Sequence, residues 1–340
     1  MHPSGQDDNL GDSALRRGLL AALRSPQATL HVLLSAQSSD YVSGLGLRGS
    51  DVIHERREDW LGVAQRARRP VFVLNAGEIT LTRGQRYPNA ATSTTIRNAV
   101  GTRGVSLAVG MGIKDPAAAS AAVFDRVLHR SALVSWRDHA SSEVAGVGAV
   151  APDWAFALGP PTAAWTPVGA RPFLAVTLRF DRPLPGERWM DAVRVLADRT
   201  ATSVVTVAQV ARDAPRAVRL AEALGGTFMV APSTRHDVME RHVRSVYARS
   251  VAIVSDRAHA LVFGATEGAY PLGSAEDPRK ITRILGAAGL EDLSGPHDLL
   301  VERGDHLAAA HDRLAGAIGL ARTEIRILTG GIRSVIEEPE

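Results

Sequence analysis

The chain has 340 residues, 45% hydrophobic and 22% charged, with 39 basic and 36 acidic side chains and a formal charge of +3. That length exceeds one ordinary core and suits two domains, and the composition excludes a disordered tail. There is no cysteine, which excludes a disulfide framework, a thiol nucleophile and a cysteine-based zinc site.

Lysine occurs only at Lys114 and Lys280, so arginine is the default cation. No apolar run approaches the roughly 20 residues of a membrane span. The opening "MHPSGQDDNLGDSALRR" is polar, without a signal-peptide core. These features predict a cytoplasmic protein. The basic clusters Arg56-Arg57 and Arg66 to Arg69 lack interleaved aromatics and read as solvated faces, so no nucleic-acid partner is expected.

In chain order, "DDNLGDSALRRGLL" (7–20) is a loop opening into a helix. Gly11 permits a tight turn, Asp12 can cap, and Leu15, Leu19, Ala22 and Leu23 share one face. Its two carboxylates and an amide can accept hydrogen bonds from sugar hydroxyls. Only eight residues precede Asn9, none strand-like. Apolar runs then recur at 29–34, 71–74, 105–109 and 131–135. The cluster "VGMGIKDP" (109–116) reads as a strand-end turn, not a dinucleotide fingerprint. "VSWRDHASSEVAGVG" (134–148) sends Arg137 out of a strand end and offers Asp138 as the cap of a helix from about Ala140; the pair reads equally as a surface ion pair.

Four prolines in "GPPTAAWTPVGARP" (159–172) mark the linker. This gives domains over 1–160 and 161–340. Beyond it, apolar runs at 173–178, 203–208, 227–231 and 251–254 alternate with helical periods such as Val218, Ala221 and Leu224. Near-continuous apolar strands separated by helices predict an α/β fold of two halves with parallel sheets facing a cleft. Ligands of such sheets bind at the carboxyl ends of strands.

"VAIVSDRAHALVFG" (251–264) is a strand, a junction and a helix. Ser255 or Asp256 can cap that helix, whose amide end attracts anions. Arg257 adds a planar donor fork and His259 a titratable proton, suited to a general acid once an anion is bound. The same residues also read as a capping aspartate, a packed histidine and a surface arginine. "RKITRIL" (279–285) places Lys280 at a helix start after a strand at Ala269–Leu272, able to neutralise phosphate or simply solvated. From about residue 305 the chain reads as two helices broken at Gly330-Gly331, packing back across the domain junction. No Walker-type loop, HExxH, GxSxG or metal-ligand cluster is present.

Together and in order, "NLGDSAL" (9–15), "VLNAGEI" (73–79), "AVGMGI" (108–113), "WRDHASSEVAGVG" (136–148), "PDWAFALG" (152–159), "SDRAHALVFGATEGAYPLG" (255–273) and "RKITRILGAAGL" (279–290) resemble the polysaccharide pyruvyl transferase family. The resemblance covers most of the chain. It implies a GT-B-like fold of two Rossmann-like domains, the first on the acceptor side and the second binding the donor. It implies transfer of a pyruvyl group from phosphoenolpyruvate, as co-substrate with no further cofactor, to two hydroxyls of one sugar on a cell-surface or exopolysaccharide glycan. Arg137, His259 and Lys280 match positions that hold phosphoenolpyruvate, with Arg257 in the same motif. Asn75 and Glu78 flank Ala76-Gly77 where the family has small residues, which bears on the acceptor.

On this reading His259 protonates the methylene carbon. Asp12 and Glu78 are the candidate bases for the sugar hydroxyls, Asn9 and Asp12 contact the acceptor, and no metal is required. A lipid-linked acceptor would bring the protein to the inner face of the membrane. Two alternatives stand beside it. One is a GT-B glycosyltransferase using a nucleotide sugar, for which Glu276 or Asp277 would hold the ribose. The other is a non-catalytic glycan-binding member.

Overall fold

In a computed structural model of the protein, residues 1–296 and 307–338 are described. The first half contains α1 (Leu10–Leu23), β1 (His31–Leu33), α2 (Ser39–Ser43), β2 (Val52–His54), α3 (Arg57–Arg66), β3 (Val71–Val73), β4 (Gly77–Ile79), β5 (Arg86–Tyr87), α4 (Ala90–Val100), β6 (Val105–Ile113), β7 (Val123–Phe124), α5 (Arg126–His129), β8 (Leu133–Trp136), α6 (His139–Ala145) and β9 (Ala149–Val150). Its strands pair in parallel as β3-β6-β8-β9, with β4 beside the end of β6 and β1-β2 as a separate pair.

The second half contains β10 (Phe173–Thr177), α7 (Glu187–Arg199), β11 (Ser203–Thr206), α8 (Ala214–Leu224), β12 (Thr227–Phe228), α9 (His236–Tyr247), β13 (Ser250–Ser255), α10 (Ala258–Thr266), β14 (Tyr270–Ser274), α11 (Arg279–Gly286), β15 (Ser294–Gly295) and α12 (Leu307–Glu337). Its sheet is parallel throughout, in the order β12-β11-β10-β13-β14-β15. That is the doubly wound Rossmann order. The central strands β10 and β13 are buried on both faces, as their unbroken apolar sequence requires.

Two expectations change. The glycines of 109–113 do not end the strand: β6 runs on to Ile113, with a register shift between Val109 and Met111 where Gly110 has φ +79°. A bulge absorbs a left-handed glycine inside a strand that remains buried. The tail is one continuous helix, unbroken at Gly330-Gly331; its expected start, residues 305–306, lies outside the described residues. Burial of Leu314, Ile318, Ile325 and Ile332 supplies more than the roughly 1 kcal/mol each glycine costs a helix. The helix does pack back on α1 and the 154–157 turn. Among the described residues no helix is long and apolar enough to cross a membrane.

The halves meet around α1, whose Ser13 and Arg17 bond His236 (2.7 Å) and Glu240 (2.5 Å) of α9. Arg283 of α11 reaches across to the carbonyls of Ile113 (3.1 Å) and Lys114 (3.0 Å) and to Asp138 (3.1 Å).

Candidate functional site

The carboxyl ends of β8, β10, β13 and β14 place Arg137, Arg179, His259 and Lys280 around the space between the halves. Arg137 follows β8 directly and is buried at 4% exposure. Its Nη1 donates to Asp153 Oδ2 at 3.0 Å, and its Nη2 lies 3.7 Å from Glu78 Oε2. His259, in the first turn of α10, brings Nε2 to 3.5 Å from the same Asp153 oxygen. Lys280, in the first turn of α11, pairs with Glu78 Oε2 at 2.5 Å. Thus Arg137, His259 and Lys280, dispersed in sequence, are joined through two carboxylates into one cluster.

The electrostatics follow from burial and charge. Burial opposes ionisation of Asp153, but His259, Arg137 and the Ala155 amide hold its carboxyl far below the ordinary range. Burial likewise opposes Glu78, yet Lys280, Arg137 and Lys114 keep it below its usual value. Lys280 is lowered by burial, against the pull of Glu78. Two buried nitrogens in this cluster, Arg137 Nε and His259 Nε2, have no hydrogen-bond partner. Buried polar groups call for a partner, and for Arg137 Nε that partner is an acceptor.

A cleft of about 120 Å³ meets the cluster at His259 and Lys280 and is otherwise lined by Asn9, Arg179, Arg182, Gln209, Arg257 and Glu276 among others. Asn9 caps α1 by accepting from the Gly11 amide at 3.1 Å. Gly11 lies under the His259 ring, where a Cβ would stand 2.1 Å from Nδ1. On the first half's side, Glu78 also lines a larger cavity of about 670 Å³, with Arg16, Asn75, Trp60, Phe72 and Tyr87.

Several local expectations are corrected. Asp12 does not cap α1; Asn9 does, while Asp12 accepts from the Gln6 amide (2.7 Å) and pairs with Arg16 (3.0 Å). Burial opposes its charge, but Arg16, the Gln6 amide and His259 hold it below the usual range, leaving a weak base. Neither Ser255 nor Asp256 caps α10. Ser255 Oγ accepts from Arg257 N at 3.0 Å, and Asp256 accepts from Arg179 N at 2.9 Å. The Arg257 fork grips Asp213 at 2.5 and 2.7 Å, so it builds the wall of the cleft and is not a free anion ligand. Asp138 does cap α6, through the Ser141 amide at 2.8 Å. Both ribose candidates, Glu276 and Asp277, line the cleft, and Asp277 is also held by Arg279.

Sequence reasoning passed over Asp153, Arg179 and Gln209. Arg179 and Gln209 follow the apolar runs 173–178 and 203–208 and line the cleft, whereas Asp153 is buried behind it. Asp153 sits within "PDWAFALG" and caps the 154–157 turn through the Ala155 amide at 3.0 Å; one carboxylate thus serves a turn, Arg137 and His259.

No family model matches the chain, and no curated protein does. Solved structures do. The Anabaena protein Alr3699/HepE in complex with UDP and glucose is similar at TM-score 0.54 and 11% identity, over 99% of this chain and 98% of that one. Staphylococcus aureus MnaA, solved with UDP, is similar at TM-score 0.51 and 13% identity, over 96% of this chain and 94% of that one. At such identities the likeness establishes the fold: two Rossmann-like domains facing a cleft, the GT-B-like arrangement.

Proposed function

We propose that the chain is a transferase of glycan biosynthesis that moves a pyruvyl group from phosphoenolpyruvate to two hydroxyls of a saccharide. The observation that carries this reading is the convergence of Arg137, His259 and Lys280 on Asp153 and Glu78, with His259 and Lys280 lining a small cleft. Phosphoenolpyruvate bears up to three negative charges on few atoms. It needs several cations in a confined space. A cleft of about 120 Å³ suits it better than the pockets of roughly 300–1,000 Å³ that hold larger ligands.

In the free protein Glu78 stands between Lys280 and Arg137, where an anionic group of the donor would bind. Donor binding displaces that carboxylate toward the first half's cavity, where the saccharide would lie. His259, beside Asp153, gives its proton to the methylene carbon and C2 becomes an oxocarbenium centre. One sugar hydroxyl adds to C2 and loses its proton. The C2–O bond to phosphate then breaks with its electron pair going to phosphate, and the second hydroxyl adds and loses its proton to close the ketal. One proton ends on the new methyl group and one on the departing phosphate.

A second reading, a glycosyltransferase using a nucleotide sugar, is favoured by the two similar structures solved with UDP and by Glu276 in the cleft. Incubation with phosphoenolpyruvate and a panel of saccharides separates the two. Phosphate release with a pyruvyl mass gain on the sugar supports the first. Thermal stabilisation by UDP and none by phosphoenolpyruvate supports the second.

A further inference from the structure

The cleft holds a carboxylate that no cation neutralises. Asp256, between β13 and α10, lines it together with Gln209, Ala258 and His259. Its Oδ1 accepts from the Arg179 amide at 2.9 Å. Among the described residues Asp256 makes no ion pair, although cations line the same cleft. Arg179 gives its fork to Asp181 at 2.8 and 2.6 Å, and Arg257 gives its own to Asp213. Lys280 is paired with Glu78, and His259 faces Asp153. Arg182 stands exposed at the rim, where its charge acts on Asp277. Glu276 adds a further carboxylate. Burial outweighs the Arg179 amide and the pull of Arg257 and Arg179, and pushes the Asp256 carboxyl up to about 6.

Beside this acid stand donors with nothing to bind. Gln209 is 1% exposed, and its Nε2 is buried without a partner. A buried amide nitrogen calls for an acceptor. No side chain caps α10, and its first residues, Ala258 and His259, line the cleft. The amides of a helix's first turn have no partner within the helix. Such donors suit the oxygens of a phosphate. A charged Asp256 would repel that ligand, whereas the protonated acid donates an O–H to it.

We propose that Asp256 and Gln209 bind a phosphate group of the cleft's ligand, Gln209 through Nε2 and Asp256 as the neutral acid, so that binding takes up one proton from solvent. This rests on the reading of the cleft as the donor site. It holds for both donors considered above, because phosphoenolpyruvate and a nucleotide sugar share phosphate chemistry. It also gives a reason for an acid buried without a counter-charge, since the carboxyl is matched to a ligand oxygen and not to a cation.

Calorimetry on the full chain from pH 6 to 8 tests this, with phosphoenolpyruvate, UDP and inorganic phosphate as separate probes. The unaltered chain is compared with Asp256→Asn, which keeps a neutral donor, and with Gln209→Met, which loses one. Because the neutral acid is the binding form, affinity falls as pH rises above about 6. Over that range Kd should rise at least about tenfold more for the unaltered chain than for Asp256→Asn. Ionisation of the probe, of His259 and of Lys280 is common to both chains and cancels in the ratio. Paired buffers of different ionisation enthalpy should show about one more proton taken up by the unaltered chain at pH 7.5. Gln209→Met should bind at least about tenfold more weakly at every pH with no fall in Tm, since an apolar side chain leaves no buried amide unpaired. This pattern with phosphoenolpyruvate or with UDP supports the proposal, and the probe that binds tells the two donors apart. Parallel pH profiles for the unaltered chain and Asp256→Asn, or unchanged binding by Gln209→Met, would overturn the proposal and leave the donor site standing. No binding of any probe by any of the three chains would overturn both.

Discussion

Asp153 carries the most at the residue scale, because one buried carboxylate neutralises Arg137, holds His259 and caps a turn. Asp153→Asn leaves buried cations without their counter-charge, a loss of about 3–5 kcal/mol for a broken buried pair. The expected outcome is a lower Tm in a thermal scan and at least a hundredfold lower phosphate release, about 3 kcal/mol in the barrier. Glu78 pairs with Lys280 and Arg137, and on the proposed function it would compete with the donor for them. Glu78→Gln should tighten phosphoenolpyruvate binding about tenfold by calorimetry, that is about 1.4 kcal/mol; weaker binding would show that the carboxylate does not stand in the donor's place. Asp256 is raised by burial to about 6, against the Arg179 amide and Arg257. A carboxyl raised on folding contributes stability below its unfolded value near 4, and loses it as pH rises toward its folded value. Asp256→Asn should therefore raise stability by about 2 kcal/mol at pH 7.5 and change it little at pH 4, as read from denaturant midpoints.

The elements bring these side chains to the site by close approach and by caps. The start of α1 slides under His259 only because residue 11 has no Cβ. Gly11→Ala should displace the ring and cost at least about 1–3 kcal/mol of stability by overpacking, with transfer activity lost in proportion to the displaced histidine. In contrast Gly330 meets nothing within 4 Å in the middle of α12. Gly330→Ala should raise stability by about 0.5–1 kcal/mol, checked as a small increase in Tm. The contrast between these two glycines, one for packing and one without a neighbour, is invisible in sequence, where both merely precede or interrupt a helical period.

At the scale of the whole molecule, the cleft depends on how the halves are held. Three bonds from the Arg283 guanidinium cross to the first half, beside the Lys280–Glu78 pair. Arg283→Ala should loosen the closed arrangement. The expected outcome is a larger radius of gyration by solution scattering and weaker donor binding, while the sheets keep their circular dichroism.

The alternation of apolar runs with helical periods was enough to establish two parallel α/β layers, because a strand buried on both faces must be apolar throughout and a surface helix must not be. It also pointed to the strand ends, and the structure brings Arg137, His259 and Lys280 from there into one cluster. What it could not carry was pairing. Asp153 and Glu78 gather those side chains from both halves, Asp213 captures Arg257, and Asn9 rather than Asp12 caps α1. Such partners are chosen by distance in space across long sequence separations, and a one-dimensional pattern holds no measure of that distance. The unbroken α12 has the same origin, for burial against the rest of the molecule outweighed what its own glycines prefer.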